Sequence, residues 1–91
     1  MEFEWDEAKR KSNLRNHGID FFGIEQVFEG QTVTILDDRF DYGEERFVTF
    51  GLLDGRVVAI AHTETDEVIR IISVRKATKD EESSYIKEIS N

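Results

Sequence analysis

The chain has 91 residues, with 20 acidic and 12 basic side chains and a formal net charge of −8. This length leaves room for one domain, residues 1–91, and the lack of cysteine excludes disulfides and thiolate zinc sites. There is no apolar run long enough to span a bilayer and no signal-peptide pattern, so we expect a cytoplasmic protein without a membrane partner. The acidic balance argues against a non-specific nucleic-acid binder, because such proteins are normally basic.

The basic side chains are not spread evenly along the chain. Two acid-free windows, 9–17 and 70–79, hold eight of the 12 basic residues. The acids cluster at 37–45, 64–67 and 80–82. A single charge run is usually a solvated face, but two such windows also allow a local positive surface on a negative protein.

The first elements are a strand and a polar helix. Residues 3–5 predict a short strand, and Asp6 after them is an N-cap candidate, because its carboxylate accepts hydrogen bonds from the free N–H groups of a first turn. The polar stretch 7–16 predicts the helix, and Gly18 is a natural left-handed residue at its end. Its low apolar content places this helix at the surface.

A second helix and a strand follow. Asp20 is the predicted N-cap, Ile19 and Ile24 form a hydrophobic staple, and Gly30 ends the helix. The β-branched run 32–36 predicts a strand, and the acidic stretch that follows it predicts an exposed loop.

The second half of the chain predicts two hairpins and a last helix. Strand-like runs at 46–53 and 56–63 are joined by Asp54-Gly55, a strong two-residue hairpin turn. A third run, 68–74, follows a polar tip, and Thr78 opens a helix with a capping box. The sequence therefore predicts an α+β fold with a mostly antiparallel sheet, two N-terminal helices and one C-terminal helix, in the order β-α-α-β-β-β-β-α.

The hairpins also predict which side chains share a face of the sheet. If Val68 pairs with Thr63, the alternation of side chains places His62, Ser73 and Arg75 on one semi-polar face. We expect the helices to cover the opposite, more apolar face and leave the semi-polar face as the floor of a site. A single β-bulge would reverse part of this assignment.

Several segments resemble the toxins of the BrnT family, over a range from residue 3 to about residue 85. The block at 69–77, Ile-Arg-Ile-Ile-Ser-Val-Arg-Lys-Ala, is the most specific part of the resemblance. The other matching residues are Phe3-Glu4-Trp5-Asp6, Lys9, Asn13, His17-Gly18, Phe28, Glu45-Arg46, Gly51 and His62-Thr63-Glu64.

The resemblance implies a bacterial type II toxin–antitoxin toxin with a RelE-like fold, and a ribonuclease that inhibits translation. It implies neutralisation by a BrnA-like antitoxin whose ribbon-helix-helix part binds promoter DNA, with two toxins on an antitoxin dimer. The toxin would then contact RNA directly and DNA only through its partner. We expect no cofactor, and a metal site is a weak alternative because His17 and His62 lack ligand spacing.

Metal-independent RNA cleavage needs a base for the 2′-OH, cations for the phosphate and an acid for the leaving oxygen. A histidine titrates in the right range for proton transfer, and arginine or lysine can neutralise phosphate. The predicted catalytic residues are His62, Arg75, Lys76 and Glu64, and the predicted substrate-binding residues are Arg70, Ser73, Arg46 and Lys9.

Each of these residues also has a structural explanation. His62 can be a hydrogen-bonded sheet residue, and Ser73 can satisfy a half-buried strand. Arg70 can pair with Glu25 or Glu29 on the helix-covered face. A favourable contact with the helix dipole accounts for the other histidine, His17, without any function.

The sequence departs from the family pattern at positions that lose positive charge. Asn16 stands where a basic residue commonly precedes His-Gly, Thr65 stands where arginine is common, and the last helix opens Lys79-Asp80-Glu81-Glu82. These changes favour a second hypothesis, an attenuated member that acts as a protein-binding module in a repressor complex. A third, generic hypothesis is an acidic α+β domain unrelated to toxins.

Overall fold

A computed structural model of the chain describes residues 1–39 and 41–91, and its elements follow the predicted order β-α-α-β-β-β-β-α. The strands are β1 (Glu2–Trp5), β2 (Val33–Asp37), β3 (Arg46–Leu53), β4 (Arg56–Glu64) and β5 (Val68–Lys76), and the helices are α1 (Glu7–His17), α2 (Glu25–Glu29) and α3 (Lys79–Ile89). The sheet order is β1-β5-β4-β3-β2, and β1 is parallel to β5 while the other pairs are antiparallel. The predicted α+β class is therefore confirmed.

The acidic loop was predicted over 37–45, but it begins one residue later than predicted, because Asp37 is the last residue of β2. Phe40, in the middle of that predicted loop, lies outside the described residues. Within the described part of the chain, no helix has the length and apolar character needed to cross a bilayer.

The predicted ends of α1 are confirmed. Asp6 Oδ1 accepts hydrogen bonds from the N–H groups of Ala8 and Lys9 at 2.8 and 3.3 Å. Gly18 closes the helix with a φ of 70°, a left-handed conformation that costs glycine little. Asn13 is the one buried residue of α1, so the helix lies at the surface as its polar sequence predicts.

Asn13 fastens α1 to the edge of β5. Its Nδ2 donates to the carbonyl oxygens of Ile19 and Val74, each at 2.9 Å, and its Oδ1 accepts from the Val74 N–H at 3.0 Å. β1 pairs only with the first four residues of β5, so no strand of the described residues pairs with Val74 on that side. The amide of Asn13 takes the place of a peptide group and satisfies the buried backbone of the edge.

The helix α2 is shorter than predicted. The Asp20 carboxylate caps only a turn, where it accepts from a backbone N–H two residues ahead at 3.1 Å, and the helix itself begins at Glu25. Gly23 has a φ of 89°, which an α-helix does not contain, so the helical run cannot start before it. The predicted staple residues Ile19 and Ile24 are both buried in one core cluster.

The hairpin of β3 and β4 has the predicted register. Phe47 lies opposite His62, and Asp54 and Gly55 have φ angles of 50° and 81°. Two successive positive φ angles are typical of a type I′ turn, whose twist matches that of the adjoining strands. The Asp-Gly pair therefore predicts both the turn and the pairing that follows from it.

The predicted register of β4 and β5 is wrong. Thr63 pairs with Arg70 instead of a residue two positions earlier, a shift that leaves the faces of β5 unchanged. A further one-residue irregularity between Ala61 and His62 then turns the rest of β5 over. As a result Ser73 lies opposite Ala61, on the other side of the sheet from His62.

Helical segments cover both sides of the sheet, so the prediction of one uncovered face is wrong. On the α1–α2 face, the segment from the end of α1 through α2 packs on β4 and β5. The buried cluster there is Ile19, Phe21, Ile24, Val27, Val58, Ile60, Ile69, Ile71 and Val74. On the opposite side, the α3 face, Tyr85 of α3 packs with Phe50, Val57, Ala59 and Ala77.

Gly51 lets α2 approach the sheet closely. A Cβ at this position would lie 2.5 Å from Val27 Cγ1 and 3.4 Å from Thr32 Cγ2. The first distance is shorter than any normal carbon–carbon contact, so a side chain at Gly51 would push α2 away from β3.

Candidate functional site

His62, a predicted catalytic residue, lies inside the protein. Its side chain is fully buried, between the rings of Phe28 and Phe47 at centroid distances of 5.4 and 5.9 Å. Its Nε2 is hydrogen-bonded to Thr49 Oγ1 at 2.7 Å, and that oxygen is 2.8 Å from Thr34 Oγ1. Its Nδ1 has no hydrogen-bond partner in the described part of the chain. Burial lowers the pKa of His62, which favours a neutral imidazole.

Glu64 and Lys76, two further predicted catalytic residues, lie far apart on the same face. Glu64 Oε2 is 3.9 Å from His62 Nδ1 at one end of β4. Lys76 is exposed and lies opposite Val58 at the other end of the strand pair. Val58 and Glu64 are six positions apart along β4, a span of about 20 Å. The structure therefore does not bring these two side chains together.

Four other predicted residues share the α3 face: Arg46, Arg70, Ser73 and Arg75. For Ser73 and Arg75 the irregularity in β5 is the reason, because it places them opposite Ala61 and Ala59. Arg70 lies opposite Thr63, two positions further along the same side of β4. The prediction that His62 shares a face with Ser73 and Arg75 is wrong, whereas Arg75, Ser73 and the two further arginines do lie on one surface.

Arg75 is bound by a carboxylate of α3. Its Nη1 and Nη2 donate to the two Glu81 oxygens at 2.7 and 2.9 Å. Glu81 also accepts from the Thr78 N–H at 2.9 Å, so the predicted capping box is confirmed. The Arg75 guanidinium, helped by the Thr78 N–H, lowers the pKa of Glu81 to about 2, and the same pair raises the pKa of Arg75.

Arg70 is paired with a residue of β1. Its Nη1 lies 3.4 Å from Glu4 Oε1, and both side chains are about half exposed. The predicted partners Glu25 and Glu29 are therefore wrong. Arg46 contacts a carboxylate of the preceding loop, also at 3.4 Å. Exposed ion pairs of this kind are worth little in water, so a phosphate can replace the carboxylate at low cost.

A cavity of about 270 Å³ lies beside Arg75 and reaches the loop after β2. Arg39, which is not among the predicted site residues, lines it together with Asp37 and Glu81. Arg39 Nε and Nη2 donate to Asp37 at 2.9 and 3.1 Å, and this pair lowers the pKa of Asp37 to about 2. Arg39 lies within an acidic stretch, and that composition concealed a second arginine near Arg75.

A second group of polar residues lies where α1 runs along β5, in a depression of about 250 Å³ that we call the α1–β5 groove. Its lining residues are Lys9, Ser12, Asn13, Asn16, His17, Ile72 and Ser73. No carboxylate of the described residues lines it. The five residues of α1 recur at the spacing of one helix side. Lys9 and Ser73 are predicted site residues. The other polar residues of the groove are not, and His17 was attributed to a helix-dipole contact, although their helical spacing is readable from the sequence.

Comparison with known protein families assigns the chain to one of them. A family model described as the ribonuclease toxin BrnT of type II toxin–antitoxin systems matches residues 5–81 of the 91. No curated protein gave a significant match. The matched range includes both the α1–β5 groove and the pair of Arg75 and Glu81. The chain therefore belongs to the BrnT family, the ribonuclease toxins of type II toxin–antitoxin systems, and this membership implies an antitoxin partner.

Proposed function

We propose that the protein is a RelE-like endoribonuclease that inhibits translation, and that RNA binds along the α1–β5 groove and the adjoining α3 face. The family supplies the reaction class. The lining of the groove supports this placement, because it contains Lys9, His17 and Ser73 and no carboxylate of the described residues, on a chain of net charge −8. RNA phosphates are attracted to such a surface and repelled by most of the rest.

The proposed reaction needs no metal ion. A base removes the proton of the 2′-OH, the 2′-oxygen attacks phosphorus, and the 5′-oxygen leaves with a proton from an acid. The product carries a 2′,3′-cyclic phosphate. His17 is exposed at the end of α1 and can reach RNA, whereas His62 is enclosed. We assign proton transfer to His17, phosphate contacts to Lys9 and Ser73, and charge stabilisation to Arg75 after its release from Glu81.

The test is cleavage of a fluorescent single-stranded RNA by the purified chain in EDTA. His17→Gln should lower the rate by about 100-fold or more, the usual contribution of a general acid or base. Lys9→Gln should lower it by about tenfold, as expected for one charge-assisted hydrogen bond.

The matched control is Lys11→Gln. Lys11 is exposed on the same helix but does not line the groove, and its substitution removes the same charge. The rate should therefore stay close to that of the unmodified protein. Equal losses in the Lys9 and Lys11 variants would overturn the placement of the site, and cleavage that EDTA abolishes would overturn the metal-independent reaction.

The second candidate function, an attenuated protein-binding module, is favoured by the ion pairs of the α3 face. Arg46, Arg70 and Arg75 each have a carboxylate partner, so their charge is compensated within the protein. Such a protein would bind its antitoxin and leave RNA intact. Intact RNA after incubation with the chain, both alone and with ribosomes, together with normal antitoxin binding, would select this function.

We propose that the partner is a BrnA-like ribbon-helix-helix antitoxin, that two toxins bind an antitoxin dimer, and that promoter DNA is bound only through the antitoxin. The family supports the existence of this partner. Co-expression with the neighbouring reading frame should abolish growth arrest, and light scattering should give the mass of a two-plus-two complex. A complex mass of one toxin and one antitoxin would contradict the stoichiometry.

A further inference from the structure

The helix α3 and the edge strand β2 enclose an apolar groove with an acidic rim, which we call the α3–β2 groove. Its volume is about 370 Å³. The lining residues are Val33, Ile35, Phe50, Asp80, Glu81, Ser84, Tyr85 and Glu88. Half of them are aliphatic or aromatic, three are carboxylates, and no lysine or arginine of the described residues is among them.

An apolar side chain of this groove is exposed to solvent, since Ile35 of β2, which lines the groove, is 51% exposed. β2 is also the last strand of the sheet, so one side of its backbone is unpaired within the described chain. Exposed aliphatic side chains beside an unpaired edge strand are typical of a surface that a partner covers.

Two of the three rim carboxylates are not used inside the protein. Glu81 binds Arg75, but Asp80 and Glu88 are exposed and form no ion pair with the described residues. The neighbouring lysines of α3 do not line the groove. An apolar floor with uncompensated negative charge at its rim is complementary to a segment in which apolar and cationic side chains alternate.

We propose that the α3–β2 groove binds a basic amphipathic segment of the antitoxin. Apolar side chains of that segment contact Phe50 and Tyr85, and its lysine or arginine side chains pair with Asp80 and Glu88. This inference rests on the proposed function, because it takes the antitoxin proposed there as the partner. Glu81 lines both this groove and the cavity beside Arg75, so a bound segment lies on the α3 face beside Arg75 and excludes RNA from it.

Another groove, of about 620 Å³, lies on the α1–α2 face. It is also apolar, with Phe3, Trp5 and Phe28 in its lining, and it has Glu25 and Glu29 at its rim. An occupant of this groove would lie on the opposite side of the sheet from Arg75 and could not exclude RNA from it. The pair Glu25 and Glu29 therefore provides a matched control for Asp80 and Glu88.

The test measures binding of a fluorescein-labelled synthetic peptide with an amphipathic Leu/Lys repeat to the full chain, by anisotropy and by amide chemical shifts. The variant Asp80→Lys/Glu88→Lys and the control Glu25→Lys/Glu29→Lys make the same charge change, each at the beginning and near the end of one helix. We expect binding to the unmodified chain and the control, and at least about tenfold weaker binding to Asp80→Lys/Glu88→Lys. Chemical shifts should change at 33–35 and 80–88, and a Leu/Glu peptide should not bind.

The same variants are then co-expressed with the antitoxin encoded beside the gene. Asp80→Lys/Glu88→Lys should lose co-purification of the antitoxin, and Glu25→Lys/Glu29→Lys should retain it. If the lysine variant does not fold by circular dichroism, Asp80→Asn/Glu88→Gln replaces it and should weaken both kinds of binding.

Three results would overturn the proposal. These are equal losses in both charge variants, chemical shifts confined to the groove on the α1–α2 face, and equal binding of the Leu/Glu peptide. The peptide assay contains no RNA, so failure of the ribonuclease function leaves its outcome unchanged. Conversely, active RNA cleavage with an unaltered peptide affinity in Asp80→Lys/Glu88→Lys would overturn the docking site alone.

Discussion

The two faces of the sheet hold their polar side chains in opposite surroundings. On the α1–α2 face, His62 is fully buried beside two aromatic rings, and burial lowers its pKa. On the α3 face, the side chain of Arg75 is 37% exposed and bound by Glu81. A phosphate can displace a carboxylate from an exposed arginine, but it cannot enter a closed apolar cluster. The irregular pairing of β4 and β5 thus places Arg75 on the accessible α3 face, whereas His62 of the same strand pair stays enclosed.

The largest expected loss of stability comes from a substitution that breaks the attachment of α1 to the sheet. In Asn13→Asp, two donated hydrogen bonds are replaced by a carboxylate that faces the carbonyl oxygens of Ile19 and Val74. We expect the free energy of unfolding, measured in urea, to fall by about 3 kcal/mol or more. Asn16→Asp makes the same change at an exposed position of α1 and should alter stability by less than about 0.5 kcal/mol. Similar losses in both variants would contradict the role of Asn13.

The next effect tests how closely the α1–α2 face is packed. Gly51→Ala places a methyl group against Val27, and this overpacking should lower the free energy of unfolding by about 1–3 kcal/mol. Val27→Ala removes the clashing Cγ1, so Gly51→Ala should cost less in the Val27→Ala background. A double-mutant cycle measures this coupling. Additive losses would show that the cost of Gly51→Ala does not come from Val27.

A pH titration compares the two faces directly. Because burial lowers the pKa of His62, the unfolded chain binds a proton there at a higher pH than the folded chain does. The stability that the neutral imidazole contributes is present above the unfolded pKa and is lost as the pH falls below it. We expect the free energy of unfolding to decrease below about pH 6.5, by at most about 1.4 kcal/mol per pH unit.

This decrease lies above the range in which Glu81 takes up its proton, because the pKa of Glu81 is lowered from 4.5 to about 2. Urea unfolding between pH 7.5 and pH 5 therefore isolates the histidine. His62→Gln should be less stable at neutral pH and should lack the slope, whereas His17→Gln, at the exposed histidine, should keep it. A slope that persists in His62→Gln would contradict the assignment.

Much of the fold follows from signals that lie close together in the sequence. Asp6, Gly18, Asp54-Gly55 and Thr78 mark caps and turns, whose geometry depends on a few neighbouring residues. The element order could therefore be predicted. The start of α2 could not, since the staple pattern gave no indication that Gly23 would adopt a left-handed conformation.

The candidate site was harder to predict because it depends on pairing between distant residues. Nothing in the strand sequences shows that the register shifts between Ala61 and His62, and that shift separates His62 from Arg75. The capping role of Glu81 was readable from Thr78, but its pairing with Arg75 requires α3 to lie against the sheet. By contrast, the polar residues of α1 that line the α1–β5 groove have a regular helical spacing, so this part of the site is readable from the sequence.

The smallest expected change in stability comes from Glu81→Gln, on the α3 face. Glutamine keeps an acceptor for the Thr78 N–H but loses the charge that binds Arg75. The lowered pKa of Glu81 means that its carboxylate stabilises the fold above pH 4.5 and that this contribution is lost as the pH falls towards 2. At neutral pH we expect a loss of about 1 kcal/mol or less, since the pair is partly exposed.

The same substitution should strengthen RNA binding, because it frees the Arg75 guanidinium for phosphate. With a 2′-O-methyl RNA, which lacks the attacking hydroxyl, anisotropy should show an affinity about 3- to 10-fold higher at low salt, and the gain should shrink as salt screens the charge. Glu82→Gln removes an equal charge from the neighbouring position, which forms no ion pair with Arg75 among the described residues. Equal gains in both variants would mean that RNA senses only the net charge of α3; a gain confined to Glu81→Gln would mean that an internal carboxylate and a phosphate compete for one arginine.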